Sequence, residues 1–288
     1  LTEGFTDGTA EHSIIVGIHH YRATINSAVA GDNAIAIGVI GISGHFRQTP
    51  HLHKRAFIQE GIDALAGSCS AQRGALRLKA PSTLTMRWLL GALNAFQLAH
   101  PQNRVQLTSA WMDLDAVDFH SEPFDCAILL GNGGFPADWR RVKLFDEWLV
   151  PVCAPELLGA APWSTEQLAA AELIHPSRDC RDWRRWLQRT GRVDEVAWQQ
   201  GKLFDTLELG ISAAAQGHGV SIGDLALVGA ELQRGSLVLP LRQAVRSGDS
   251  YYLVWPGGGS ESATLARMRD YLLEHLPDVT RQGVELLD

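Results

Sequence analysis

The sequence predicts an α/β protein of two lobes, with helices covering both faces of a largely parallel sheet. Three observations predict it. Leu76, Leu78 and Ala80 alternate with Arg77 and Lys79 at the two-residue period of a strand, and Met86, Leu89, Leu90, Leu93 and Phe96 then recur at helical spacing, so a strand runs straight into a helix. The stretch from Phe124 to Leu130 is apolar almost without alternation, the pattern of a strand covered on both faces. Beyond it, short apolar runs and helical stripes follow one another to the end of the chain.

A chain of 288 residues is long enough for two domains, or one large one, with a well-filled core. Its 45% hydrophobic and 20% charged content is that of an ordinary globular protein. The run from Asn33 to Ile42 is too short for a membrane helix and has no basic segment before it, so neither a span nor a signal peptide is expected and the cytoplasm is the expected location. Cys69, Cys126, Cys153 and Cys180 form no CxxC pair, which predicts reduced, partly buried thiols rather than disulfides or a zinc site. The formal charge of −7 argues against a surface that coats nucleic acid, while leaving room for a small basic module.

In chain order, Pro81 stops the first strand and Ser82 takes the place of a helix cap; His100-Pro101 ends the helix. Arg104 to Thr108 reads as a strand. After the strand ending near Leu130 comes Gly131-Asn132-Gly133-Gly134, whose glycines let backbone approach a ligand without forming a dinucleotide fingerprint. The stretch from Val142 to Cys153 is long for one strand and is interrupted by Asp146-Glu147 and Pro151, as expected of a strand leaving one lobe for another. Helices are predicted from Thr165 to Ala171 and from Asp179 to Gln188, the latter with Trp183, Trp186 and Leu187 on one face and a solvated basic face of Arg181, Arg184, Arg185 and Arg189. Strands are predicted at 173–175, 202–204, 220–222, 237–239 and 251–255. Further helices follow Asp205-Thr206, run from Leu225 to Gln233, and carry the stripe Leu265, Met268, Leu272 and Leu276. A helix from Lys54 to about Ala71, with an apolar side and no evident partner in its own lobe, precedes the first strand.

Residues 1–55 hold no lasting period. Six of the eleven histidines lie there, but no carboxylate is placed with them and their spacing fits no familiar ligand set, so no metal is expected. No cofactor is implied, and the absence of a nucleophile with a paired base or of a close carboxylate pair argues against an enzyme.

Two strand-to-helix junctions, Ser82-Thr83 and Asp205-Thr206, place hydroxyls at helix starts that can face a shared cleft. Free N–H groups and the positive dipole end favour an anion there. A small acidic or amphoteric molecule, its carboxylate at Ser82-Thr83, is the expected ligand.

From about Phe57 to Leu276 the chain resembles the linker and effector-binding part of LysR-type transcriptional regulators, in particular the branch of regulators of glycine cleavage and β-lactamase. The resembling stretches are Leu76 to Leu90, Phe124 to Gly131, Leu144 to Pro155, Asp182-Trp183-Arg184-Arg185-Trp186-Leu187, Phe204 to Ile222 and Tyr251 to Trp255. The resemblance implies two periplasmic-binding-protein-like subdomains, 74–149 with 251–288 and 150–250, joined by crossover strands near Trp148 to Cys153 and Ser250 to Leu253. It implies a linker helix over 55–73 that pairs subunits into a homodimer or homotetramer. Ser82, Thr83, Thr206 and Tyr251 fall at positions lining the inducer cleft, and Asn132 and Asp205 join them as candidate effector contacts.

Such regulators carry an N-terminal winged helix-turn-helix for promoter DNA. Residues 1–54 show no helix-turn-helix pattern, and residues 1–55 have no basic excess, with four Lys or Arg against four acids. Divergence, or translation from a shifted frame returning to register near Lys54, accounts for that. The expected function is an effector-responsive regulator, with a solute-binding protein of the same fold as the alternative.

Overall fold

In the computed structural model the described residues are 9–12, 25–28, 74–110, 117–159, 162–280 and 283–288. The chain divides into two units, Leu1–Arg73 and Gly74–Asp288. In the first, β1 (Thr9–His12) and β2 (Ile25–Ala28) pair antiparallel, with Thr9 opposite Ala28 and His12 opposite Ile25. The helix expected over 55–73, and with it the predicted subunit contact, lies outside the described residues.

The second unit is built on one mixed sheet, ordered β4 (Val105–Ala110), β3 (Leu76–Pro81), β5 (Cys126–Gly131), β10 (Gln243–Pro256), β6 (Trp139–Val152), β9 (Val220–Asp224), β7 (Leu173–His175) and β8 (Lys202–Leu203). A short β11 (Glu285–Leu287) runs parallel to β10. The outer strands are parallel on each side, while β6 and β10, 14 residues each, lie antiparallel at the centre and continue through both halves. The long stretch containing Asp146-Glu147 is thus a single strand. Asp146 is accommodated because Lys143, Arg246 and the Ser250 hydroxyl surround its carboxylate, the last two at 2.8 and 2.7 Å. Pro151 sits beyond the last β6–β10 pair, Leu149 opposite Val245, and so removes no bond from that ladder. Between Arg246 and Ser250 the register of β10 shifts, and Gly248 there has φ of +95°, a backbone region suited to glycine.

Separate clusters fill the two halves. Leu78, Leu84, Phe96, Ile128, Leu253 and Met268 anchor the first, while Leu149, Trp183, Trp186, Val220 and Ile222 pack one face of the second. Val150, Val152, Ile174, Ile211 and Val228 pack its other face.

The helix after β3, α1, differs from its sequence expectation. It comprises Ser82–Leu84, a π-helical turn Thr85–Leu89 and Leu90–Ala99. Its buried stripe is Leu84, Leu89, Leu93 and Phe96, whereas Met86 and Leu90 of the predicted stripe are exposed. The π turn takes the chain from Leu84 to Leu89 and rotates the face by its extra residue, which a strict 3.6-residue period does not anticipate. Ser82 is not the cap either: Pro81 holds the N-cap position and no side chain caps the helix. The other helices are α2 (Pro155–Leu158), α3 (Thr165–Ala169), α4 (Arg181–Arg189), α5 (Leu207–Ala215), α6 (Gly229–Arg234) and α7 (Ala263–Glu274). Helix α6 begins later than predicted, because 225–228 form a turn whose amides bond to Trp148 O and to Asp224. The predicted strand at 237–239 reduces to one bridge between Cys153 and Val238. No helix among the described residues is long and apolar enough to cross a membrane.

Candidate effector cleft

A cavity of about 1010 Å³ lies between the two halves of the sheet, bordered by the start of α1, the end of β5, the middle of β6, the loop entering α4, the start of α5 and Tyr251 of β10. Ser82, Thr83, Asp205, Thr206 and Tyr251, five of the residues singled out in the sequence, line it together. Asn132 does not. Its side chain is exposed, and Oδ1 accepts from Gly134 N at 3.0 Å, closing the turn after β5. Among the described residues no group of His, Cys, Asp or Glu is placed to hold a metal ion.

Of the Asp205-Thr206 pair expected at this helix start, Thr206 is the cap of α5, its Oγ1 accepting from Leu209 N at 3.2 Å. Asp205 instead pairs with Arg178 Nε at 2.6 Å, and both side chains are exposed. Thr83 Oγ1 accepts from Glu208 N at 3.0 Å, so its hydroxyl joins the first turn of α1 to that of α5. Arg87, in the π turn, reinforces this contact. Its guanidinium is nearly buried and meets Glu208 at 2.7 and 3.0 Å and Glu231 of α6 at 3.0 Å. Arg87→Ala is expected to remove this clamp and destabilise the second unit by about 1.5–3 kcal/mol, the net worth of hydrogen bonds to charged groups. Thermal melts of the variant check this; an unchanged melting temperature would show that the clamp carries no stability.

Where the crossover strands meet the cleft, three carboxylates are buried near one another, Glu147 of β6, Asp182 of α4 and Asp224 of β9. Burial pushes the Glu147 carboxyl up to about 8, with the Asp182 and Asp224 charges adding to it. Burial likewise raises Asp224 to about 7, against the pull of the Ala226 and Trp148 amides, which donate to its Oδ1 at 3.0 and 3.3 Å. Asp182 is raised by burial and restrained by Arg181 and by the Ser177 hydroxyl, which donates to it at 3.0 Å. Tyr251 is buried among them, and its phenol is held far above its ordinary range by burial and by the charges of Asp224 and Glu147. The sequence held one signal of this cluster, acids inside the apolar runs of β6 and β9; Asp182, in a polar helix, offered none.

A two-lobed α/β unit with a cleft at its crossover strands carries ligand-binding geometry but belongs to many families. The sequence profile of the LysR substrate binding domain matches residues 70–277. The chain belongs to this family. Among LysR-type relatives, it is 30% identical over 203 residues to the glycine cleavage system transcriptional activator of Escherichia coli K12, covering 70% of this chain and 65% of that protein. It is 30% identical over 202 residues to the transcriptional activator AmpR of Pseudomonas aeruginosa, covering 70% of this chain and 66% of AmpR. The effector domain of P. aeruginosa AmpR superposes with a TM-score of 0.60 at 29% identity, over 70% of this chain and 94% of that domain. The chain thus spans just under two thirds of the length of the glycine cleavage activator.

Proposed function

We propose that the protein is a cytoplasmic LysR-type transcriptional regulator, not an enzyme, whose cleft binds a small carboxylate-bearing effector and thereby controls its action at promoter DNA. One observation carries the reading: the cavity is lined by two helix starts, one without a side-chain cap, and the Thr83 hydroxyl joins them. The uncapped N–H groups of α1 and its dipole end favour a carboxylate. Relatives named as transcriptional activators support the regulatory role. A ligand competing at Thr83 changes the contact between α1 and α5, so binding alters the angle between the lobes.

Thr83→Val should weaken effector binding by roughly ten- to a hundredfold while the fold persists, the loss expected for a hydrogen bond to a charged group. Titration calorimetry with the inducing compound is the measurement, with Ser82→Ala alongside. Unchanged affinity in both variants would show that the α1 start does not hold the effector. For DNA, a gel shift of this chain on the DNA upstream of its own gene should show a complex, and its absence sinks the promoter-binding claim. A dimer or tetramer is expected by light scattering at micromolar concentration, monomer alone being the contrary result.

A further inference from the structure

The charges around the cleft do not suit a wholly anionic occupant. Among the described residues, Glu147, Asp179, Asp182 and Asp205 line it against Arg178 and Arg181. Arg178 is taken up by Asp205, and Arg181 Nε lies 3.7 Å from Asp182. Glu147 is different in kind. It is 5% exposed, lines the cavity, and makes no ion pair among the described residues. The groups that act on it are Asp182 from α4, Asp224 from β9 and Asp249 from β10, all of one sign, with the Ser247 hydroxyl as its hydrogen-bonding neighbour. That hydroxyl is shared, since it also accepts from Asp249 N at 2.9 Å. Arg185 of α4 is held by Asp249 at 2.8 Å, and the Tyr251 phenol beside the cluster brings no positive charge. A buried carboxyl left among like charges is kept protonated, and its ionised form becomes favourable only when a cation arrives.

Resting on the reading of this cavity as the effector site, we propose that the effector is amphoteric and that its cationic nitrogen docks on Glu147, at the opposite charge pole to the α1 start. The two poles divide the recognition. Uncapped N–H groups at Ser82-Thr83 receive the anionic end, and the Glu147 carboxylate supplies the countercharge for the ammonium. Glu147 holds its proton at neutral pH until the ammonium arrives. Forming the pair transfers that proton to solvent, so binding is accompanied by proton release and tightens as pH rises toward about 8.

The test uses one skeleton in three charge states, phenylalanine, phenylalaninamide and N-acetylphenylalanine, titrated into the full chain and into Glu147→Gln. Phenylalanine should bind the wild type about ten- to a hundredfold more tightly than N-acetylphenylalanine and Glu147→Gln should bring these two within about threefold, while phenylalaninamide, which lacks the carboxylate, binds more weakly than phenylalanine in the wild type. Glu147→Gln replaces a buried carboxyl that is neutral until the ammonium arrives with a neutral amide of nearly the same shape, and is expected to fold; melting curves verify this. Calorimetry in two buffers of different ionisation heat supplies an independent readout, with proton release in the wild type and none in the variant. Tighter binding of N-acetylphenylalanine overturns the cationic assignment and leaves the effector cleft standing. An amine preference that survives in Glu147→Gln, or binding of none of the three, overturns it as well, while the Thr83→Val titration decides the cleft reading separately.

Discussion

Raising the pH from about 5 to about 8 is expected to destabilise the second unit by several kcal/mol, lowering its melting temperature by on the order of ten degrees. The cause is the buried acid cluster. Glu147 and Asp224 are drawn up to about 8 and about 7 in the folded chain, whereas unfolded they titrate with ordinary carboxylates. A carboxyl raised by folding contributes stability that is complete below its unfolded value and disappears as pH climbs through its folded one. Each tenfold tightening of a proton on folding is worth about 1.4 kcal/mol, and the two groups are too close to add independently. Asp146 works in the opposite sense. Burial opposes its charge, but bonds from Lys143, Ser250 and Arg246 overcome this and hold it at about 2, so its contribution is lost as pH falls from the ordinary carboxylate range through that value. The stability maximum should therefore lie at about pH 4–5. Melting curves across this range, with Glu147→Gln as the flattened control, are the measurement. A melting temperature that rises steadily to pH 8 in the wild type would refute the assignment to the buried acids.

Trp183→Ala should lower stability by about 3–5 kcal/mol, the range for removing a buried aromatic side chain. Trp183 is fully buried in α4, its Nε1 donates to Ile174 O at 2.9 Å, and its ring meets Trp186 edge-on with centroids 6.1 Å apart. Truncation leaves a cavity and also removes a hydrogen bond to β7, which leads into the loop of Ser177 to Asp179 along the cleft. At this chain size the loss corresponds to roughly 6–20 °C. Trp183→Phe, which keeps most of the ring packing and loses the hydrogen bond, should cost about 0.5–1.5 kcal/mol. Chemical denaturation of both variants separates the two contributions; equal losses would mean that packing is not what Trp183 supplies.

Most of the order of strands and helices from β3 to α7, the doubly covered strand at β5, the tryptophan face of α4 and the cap at Asp205-Thr206 were legible in the sequence, because each arises from neighbours within a turn or two of chain. Burial imposes a period on apolar residues, and a hydroxyl before a helical run finds its amide three residues on. Tyr251 was expected in the cleft only from the resemblance to LysR-type regulators, whereas Ser82, Thr83, Asp205 and Thr206 were legible as cleft residues because each sits at a strand-to-helix junction. Asn132 was not, because a short loop gives a side chain the choice between the cleft and its own backbone, and here the backbone turn took it. Only the tertiary structure decided the rest. The π turn of α1 depends on how Leu84 and Leu89 both reach one core, the Arg87 clamp joins residues far apart in the chain, and the charge of Glu147 is set by Asp182 and Asp224 arriving from other elements. Electrostatics inside a fold depends on distance in space and on burial, and neither quantity is written in the spacing of residues along a chain.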